Sequence, residues 1–324
     1  MLTRGQLLSA SLVLALGIAV VIGMPARSHA GAVITSGAVS MGINDTGELN
    51  FDGIGIALAG VGDGIIPGCL CEGWGVAVNG SISGGASIAN PDPGNLTLSS
   101  FTSTASTATS VVTLTSLPTL SVTQAYAPSA SSALFQDTVT ITNSGATDLT
   151  NLLYTRVMDW DIPPTEFSEM VTIQGVGATN LVLSHDNGFE NVDPLASTIA
   201  LMAGTTNVNF TDFGPNDHGA YFLFNFGTLA ADTSKTFNIF YGAAGSEAAA
   251  LAALGTVGAE VYSFGQSNGS VTGSDFTTGT PGTFIFGFAG VGGTPVGTVP
   301  EPSTLLLSLL GLGMSALRLR KKTG

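Results

Sequence analysis

The residues best suited to chemistry lie in Asp159-Trp160-Asp161-Ile162-Pro163-Pro164-Thr165-Glu166. Two carboxylates at i and i+2 fall on one side of an extended strand. A third acid follows a Pro-Pro turn, and Glu169 lies nearby. Carboxylate oxygens so placed suit Ca²⁺, and an aromatic ring between acids suits a sugar. The same residues also read as a strand end with an anchoring Trp and turn-forming acids. Two further loops, His185-Asp186-Asn187-Gly188-Phe189-Glu190-Asn191-Val192-Asp193-Pro194 and Asp212-Phe213-Gly214-Pro215-Asn216-Asp217-His218-Gly219, each set one histidine among acids. The candidate calcium ligands are Asp159, Asp161, Glu166, Asp186, Asp193 and Asp217, and the candidate glycan contacts are Trp74 and Trp160. If the loops met around Asp159 and Asp161, a His/Asp metal site or a hydrolase centre with His185 and His218 would open; otherwise both are solvated turns.

Other constellations are weaker. Glu48-Leu49-Asn50-Phe51-Asp52-Gly53 imitates half of an EF-hand loop, but Glu replaces the first Asp and Ala59 stands where the bidentate Glu belongs, so a strand is expected. Cys69 and Cys71 can bridge only through a turn, which Pro67-Gly68 would start, because full extension puts their Cα atoms near the ~6.8 Å limit for a disulfide. Such a bridge would pin a loop; free or intermolecular thiols are the alternatives. No cation or helix N-terminus activates a thiolate there. There is no Gly-x-Ser-x-Gly elbow, no His-Glu-x-x-His and no phosphate-binding loop, so a non-catalytic body is expected.

The chain has 324 residues, 8 Lys and Arg, 22 Asp and Glu, and a net charge of −14. Arg4, Arg27, Arg318, Arg320, Lys321 and Lys322 lie near the ends, which leaves Arg156 and Lys235 as the only cations between them. With Glu301 set aside, 21 acids remain there, for a net charge near −19. Clustered basic residues are missing, so nucleic acid is excluded as a partner. Two cysteines are too few for a disulfide scaffold.

The elements that must position these residues are mostly strands. Gly53 to Leu58, Trp74 to Gly80, Leu96 to Phe101, Ser110 to Thr115 and Leu120 to Tyr126 alternate as half-buried strands do, and Asn90 to Asn95 is a turn cluster. Ser246 to Gly255 has an N-cap serine, an early acid, strong helix formers and a terminal glycine. Glu260 to Gly265 and Thr283 to Ala289 are strands, and 290–298 is expected to be a flexible spacer. The fold class expected is all-β, an antiparallel sandwich of immunoglobulin-like or jelly-roll-like form with one short internal helix. The body spans 31–289, in one piece or as subdomains of about 31–130 and 131–289.

Val139 to Leu152, a strand, an Asn-Ser-Gly turn and a second strand, resembles the strand pairs of immunoglobulin-like modules in bacterial surface proteins. Phe226 to Ile239 is similar to the late strand pair of such modules, with Asp232 where they commonly place Gly. Both resemblances imply a sandwich.

The two ends carry an address. Arg4, the apolar run Leu7 to Met24 and Ser28-His29-Ala30 before Gly31 make a signal peptide over 1–30, cleaved between Ala30 and Gly31, with the secretory translocon and signal peptidase as partners. At the other end stand Pro300-Glu301-Pro302, an uncharged apolar segment over 303–317 and the basic residues Arg318, Arg320, Lys321 and Lys322. The prolines keep the box extended, the apolar segment suits a short membrane helix, and the basic end suits a cytoplasmic stop. Residues 299–324 therefore resemble the PEP-CTERM sorting signal of exported proteins in many Gram-negative bacteria. That resemblance implies exosortase as a partner, an inner-membrane intermediate with its body in the periplasm, and delivery to the cell surface or an exopolysaccharide matrix. The function expected is structural or adhesive; the alternatives are a carbohydrate-binding module and a secreted hydrolase.

Overall fold

The computed structural model describes residues 30–297. The signal segment before Ala30, the Pro-Glu-Pro box, the apolar segment and the basic end lie outside the described residues. In chain order the strands are β1 (Gly31–Ser36), β2 (Val39–Asn44), β3 (Ile56–Leu58), β4 (Gly62–Asp63), β5 (Glu72–Val78), β6 (Ile82–Ser87), β7 (Leu96–Ser103), β8 (Ala108–Leu114) and β9 (Leu117–Pro128). They continue with β10 (Leu134–Asn143), β11 (Leu153–Asp159), β12 (Glu169–Gln174), β13 (Leu181–His185), β14 (Phe210–Asn216), β15 (Gly219–Asn225) and β16 (Thr233–Ala244). The helix α1 (Glu247–Val257) and the strands β17 (Val261–Ser267) and β18 (Thr283–Ala289) complete the body.

Three antiparallel sheets form. The largest has nine strands in the order β14-β12-β17-β18-β16-β10-β9-β8-β7, the second has five in the order β13-β15-β11-β5-β6, and the third is β1-β2-β3-β4. Their apolar residues, from Ala32 and Ile34 through Trp74, Phe135, Tyr154 and Phe222 to Phe286 and Val291, join in one core. A boundary near residue 130 would cut the β9–β10 pair inside the nine-stranded sheet. The fold is a β-sandwich with one helix.

The two segments resembling immunoglobulin-like modules are arches between sheets, not hairpins. β10 lies in the nine-stranded sheet and β11 in the five-stranded one, and β15 and β16 are divided the same way. The arches touch through the Leu149–Leu229 bridge. The Asn143 side-chain amide donates to the carbonyls of Thr147, Leu229 and Ala230, holding both turns at once. Asp232 has φ 53°, the left-handed conformation for which glycine is the usual residue.

The nine-stranded sheet has two different outer surfaces. At one end α1 covers it, with Ala250, Ala253 and Leu254 packed on Leu134, Phe240, Phe264 and Ile285. Ser246 caps the helix by accepting from the Ala249 N–H, and Gly258 ends it at φ 65°. Away from the helix the apolar positions give way to hydroxyls. The cross-strand rows there are Thr97-Thr113-Ser121-Thr142-Ser234, Ser100-Val111-Thr123-Thr140-Thr236 and Thr102-Thr109-Ala125-Thr138-Asn238. Every position in these rows is uncharged, and all but Val111, Ala125 and Asn238 are Thr or Ser. The alternate residues Val112, Val122, Val139 and Ile141 point into the core.

The expected flexible spacer over 290–298 is docked for most of its described length. Glu260 accepts the backbone N–H groups of Gly290, Val291 and Gly293, Val291 is buried, and the Val296 N–H donates to the Ala259 carbonyl. Glycine content suggested freedom; one carboxylate collecting three orphan donors removes it. Among the described residues no helix is long and apolar enough to cross a membrane.

Candidate functional site

The acids converge at one end of the five-stranded sheet. Asp159 closes β11, where its backbone pairs with Gly219 at the start of β15 and its N–H donates to the Cys71 carbonyl. Asp161 follows, held by its N–H to the Gly64 carbonyl. Asp217 comes from the β14–β15 turn. One carboxylate oxygen from each of Asp159, Asp161 and Asp217 lies within 4.8 Å of the other two. Asp159 and Asp161 are buried, and Asp217 stands at the edge.

No donor reaches either oxygen of Asp161, nor Oδ1 of Asp159 or Asp217. Oδ2 of Asp159 lies 3.7 Å from Cys69 Sγ, which is bonded to Cys71 Sγ and has no proton to give. That disulfide, with Cα atoms 5.1 Å apart, holds the chain after Gly68 against Asp159. Gly68 has φ 83°, and a Cβ there would lie 2.6 Å from the Phe167 ring and about 3.4 Å from an Asp161 oxygen, so only glycine fits.

The electrostatics follow from this crowding. Burial raises the Asp161 carboxyl to about 7, and Asp217, Glu166 and Asp63 add to the rise. Burial raises Asp159 to about 9, reinforced by Asp161, Asp217 and Glu169. Glu169, at the head of β12, is raised to about 9 by burial, although it accepts the His218 and Ser168 N–H groups. Dry like charges disfavour ionisation, and neither body cation is paired here. Arg156 serves Glu72, and Lys235 lies over Phe226.

The other candidates separate from this centre. Asp186 is already engaged: it accepts from His218 Nδ1 at 3.2 Å, from Thr205 Oγ1 and from the N–H groups of Leu201 and Met202. Burial pushes its carboxyl up, but these bonds outweigh it and leave it below the usual range. Asp193 accepts the Leu195 N–H in a local turn. Asp186 and Asp193 are thus not ligands with the others, because both already serve loop donors. Glu166 acts on Asp161 through its field without joining the close group. His185 stacks on Tyr221 with centroids 4.5 Å apart, contacts Thr198 Oγ1, and is lowered to about 4 by burial.

Trp74 and Trp160 are fully buried, their indole N–H groups donating to the Thr46 carbonyl and Ser263 Oγ. Gly265 leaves room for Trp160, since a Cβ there would lie 2.6 Å from its ring. Neither tryptophan offers a face to a sugar, which corrects the glycan expectation for both. A separate groove of about 1010 Å³ is lined by Asp45, Glu48, Ile88, Asp92, Asn95 and Leu98 and carries no aromatic side chain.

Comparison with known proteins bears on the end of the chain. Residues 298–322 match the PEP-CTERM protein-sorting motif. The chain carries an exosortase sorting signal. Such a signal implies export, a membrane-anchored intermediate and processing by exosortase, in agreement with the Pro300-Glu301-Pro302 box and the basic end. No curated protein matches the chain. Among solved structures, a galactose mutarotase related enzyme from Lactobacillus acidophilus is similar at 9% identity and a TM-score of 0.32, over 81% of this chain and 86% of that one. A likeness that shallow carries no argument about activity.

Proposed function

We propose that the body is a non-catalytic structural and adhesive protein of the cell surface or exopolysaccharide matrix, and that the hydroxyl face of its nine-stranded sheet is the adhesive surface. The observation that carries this reading is the absence of charge across the three rows from β7 to β16, on a body that is otherwise strongly acidic. A repeating array of Thr and Ser offers donors and acceptors at strand spacings of about 4.8 Å in one direction and about 7 Å in the other. An acidic body repels anionic polymers, and this neutral surface can meet an uncharged, hydroxyl-rich polymer. Polysaccharide hydroxyls meet it without the desolvation of any ion.

The surroundings of His185 and His218, the two histidines of the body, support the non-catalytic reading. His218 directs Nδ1 to Asp186 while its Nε2 has no hydroxyl partner, and His185 is closed against Tyr221 and Thr198. His185 meets the Thr198 hydroxyl, but with its imidazole lowered to about 4 by burial it is a weak base for activating it.

The test is co-sedimentation of the exported protein with an insoluble neutral glucan and with an anionic uronate polymer. The wild type is expected to pellet with the neutral polymer, with little dependence on salt. Thr123→Glu together with Thr236→Glu, which put charge into two strands of the face, should abolish pelleting while the melting temperature stays within a few degrees. Binding retained in that double variant would overturn the assignment of the surface.

A further inference from the structure

Asp159, Asp161 and Asp217 pose a problem that the adhesive reading leaves untouched. Surface acids often cluster because water satisfies them, but Asp159 and Asp161 are 1% and 0% exposed. Both Asp161 oxygens and one oxygen on each of its partners lack a donor, even though buried carboxylates in folded proteins are normally hydrogen-bonded. The glycine at 68 and the disulfide beside it keep the neighbouring backbone close without filling the space with a side chain. Oxygens that converge without donors match the requirement of a metal cation.

We infer that Asp159, Asp161 and Asp217 form a binding site for a hard divalent cation, with calcium as the occupant. The donor set decides the chemistry. All three ligands are carboxylates, which suit Ca²⁺, Mg²⁺ or Mn²⁺. The nearby sulfurs are bonded to each other, and no histidine nitrogen belongs to the close group, so the set lacks the soft and borderline donors that favour zinc or copper. Calcium fits better than magnesium because the four donor-free carboxylate oxygens stand in an irregular, mostly dry setting, whereas Mg²⁺ demands a near-octahedral shell and keeps several waters. The ligands come from the end of β11, the segment after it and the β14–β15 turn, so an ion would tie three chain segments at one corner of the sandwich. Glu169 stands outside the close group, where it accepts backbone N–H groups and orients the β14–β15 turn through His218.

The experiment uses the exported protein after treatment with chelator. Melting would be followed with CaCl₂, with MgCl₂ and with chelator alone, and Tb³⁺ luminescence would be excited through Trp160, whose sequence neighbours are two of the ligands. Calcium at 100 times its Kd is expected to raise the melting temperature by about 5 °C or more. Tb³⁺ should luminesce and be displaced by calcium in preference to magnesium. Asp161→Asn should abolish both responses, and Asp217→Asn, at the accessible edge, serves as the second variant if the first does not fold. An unchanged midpoint without Tb³⁺ luminescence would overturn the inference, as would full responses retained in Asp217→Asn. Failure here would leave the hydroxyl face standing, since that reading is tested by polymer binding alone.

Discussion

Replacing Arg156 by Met should be among the most damaging single changes in the body. Arg156 lies in β11 and is fully buried, as is its partner Glu72. Its Nε donates to Glu72, Nη1 donates to Gln124 Oε1 at 2.7 Å, Nη2 donates to the Gly47 carbonyl at 3.3 Å, and the guanidinium sits 5.3 Å from the Tyr241 ring centroid. Removing it leaves Glu72 dry, with only the Leu49 N–H as a donor. Breaking a buried pair from one side costs about 3–5 kcal/mol. For a body of this size that corresponds to a midpoint lower by about 6–15 °C. A pH signature separates this cause from lost packing. Burial already raises the Glu72 carboxyl, and Arg156 is the main influence pulling it down. Without Arg156 the folded-state value rises further above the unfolded one, and a carboxyl so raised loses stability as pH climbs. The deficit of Arg156→Met should therefore be larger at pH 8 than at pH 5. Adding Glu72→Gln should recover much of the loss at pH 8. Urea unfolding at both pH values measures this. A deficit below about 1 kcal/mol, or one equal at both pH values, would refute the reasoning.

Asp137, buried on β10, is raised to about 7 by burial against the opposing pull of Arg156, with Tyr126 and Glu72 also facing it. Its contribution is fully present below about pH 4 and fades as pH rises through 7, by about 4 kcal/mol at pH 8. Asp137→Asn should therefore flatten the fall in stability between pH 5 and pH 8, and an unaltered slope in denaturant unfolding would assign that fall elsewhere. Replacing Pro300, Glu301 and Pro302 together by Ala should hold the protein in the membrane fraction, while the wild-type mature form should begin at Gly31 and lack the apolar segment by mass spectrometry. Intact residues 305–324 on the released wild-type protein would contradict processing at the sorting signal.

Alternation made much of the sandwich legible. β18 spans Thr283–Ala289, as read from the sequence, because Phe284, Ile285, Phe286 and Phe288 leave no polar face to misplace. The start of α1 was legible in Ser246, but its end was not, since Gly255 stays helical and buried and Gly258 takes the left-handed cap. Sheet membership was hidden: alternation specifies an inward face, not which sheet that face belongs to, so β10 and β11 look like a hairpin until their partners are known. Asp159 and Asp161 were visible as a pair through their i, i+2 spacing, whereas Asp217 joins them only through the pairing of Asp159 with Gly219. Asp186 and Asp193 look the same in sequence, but local loop donors claim them. Arg156 left a readable trace, one cation in Leu153-Tyr154-Thr155-Arg156-Val157-Met158, a run too apolar for an exposed strand end.

The Glu260 clamp limits where processing can occur. Among the described residues Val296 is the last one hydrogen-bonded to the body, through Ala259, and Pro300 lies four residues beyond it. Even a fully stretched chain covers only about 14 Å over that interval. If the apolar segment enters the bilayer directly after the box, the folded body would sit close to the lipid headgroups before release, with the corner between α1 and β17 turned toward them. The processing enzyme would have to reach its recognition box through a narrow gap beneath an acidic domain. So short a tether would present only a fixed side of the sandwich to the bilayer and leave the opposite side pointing away from the cell.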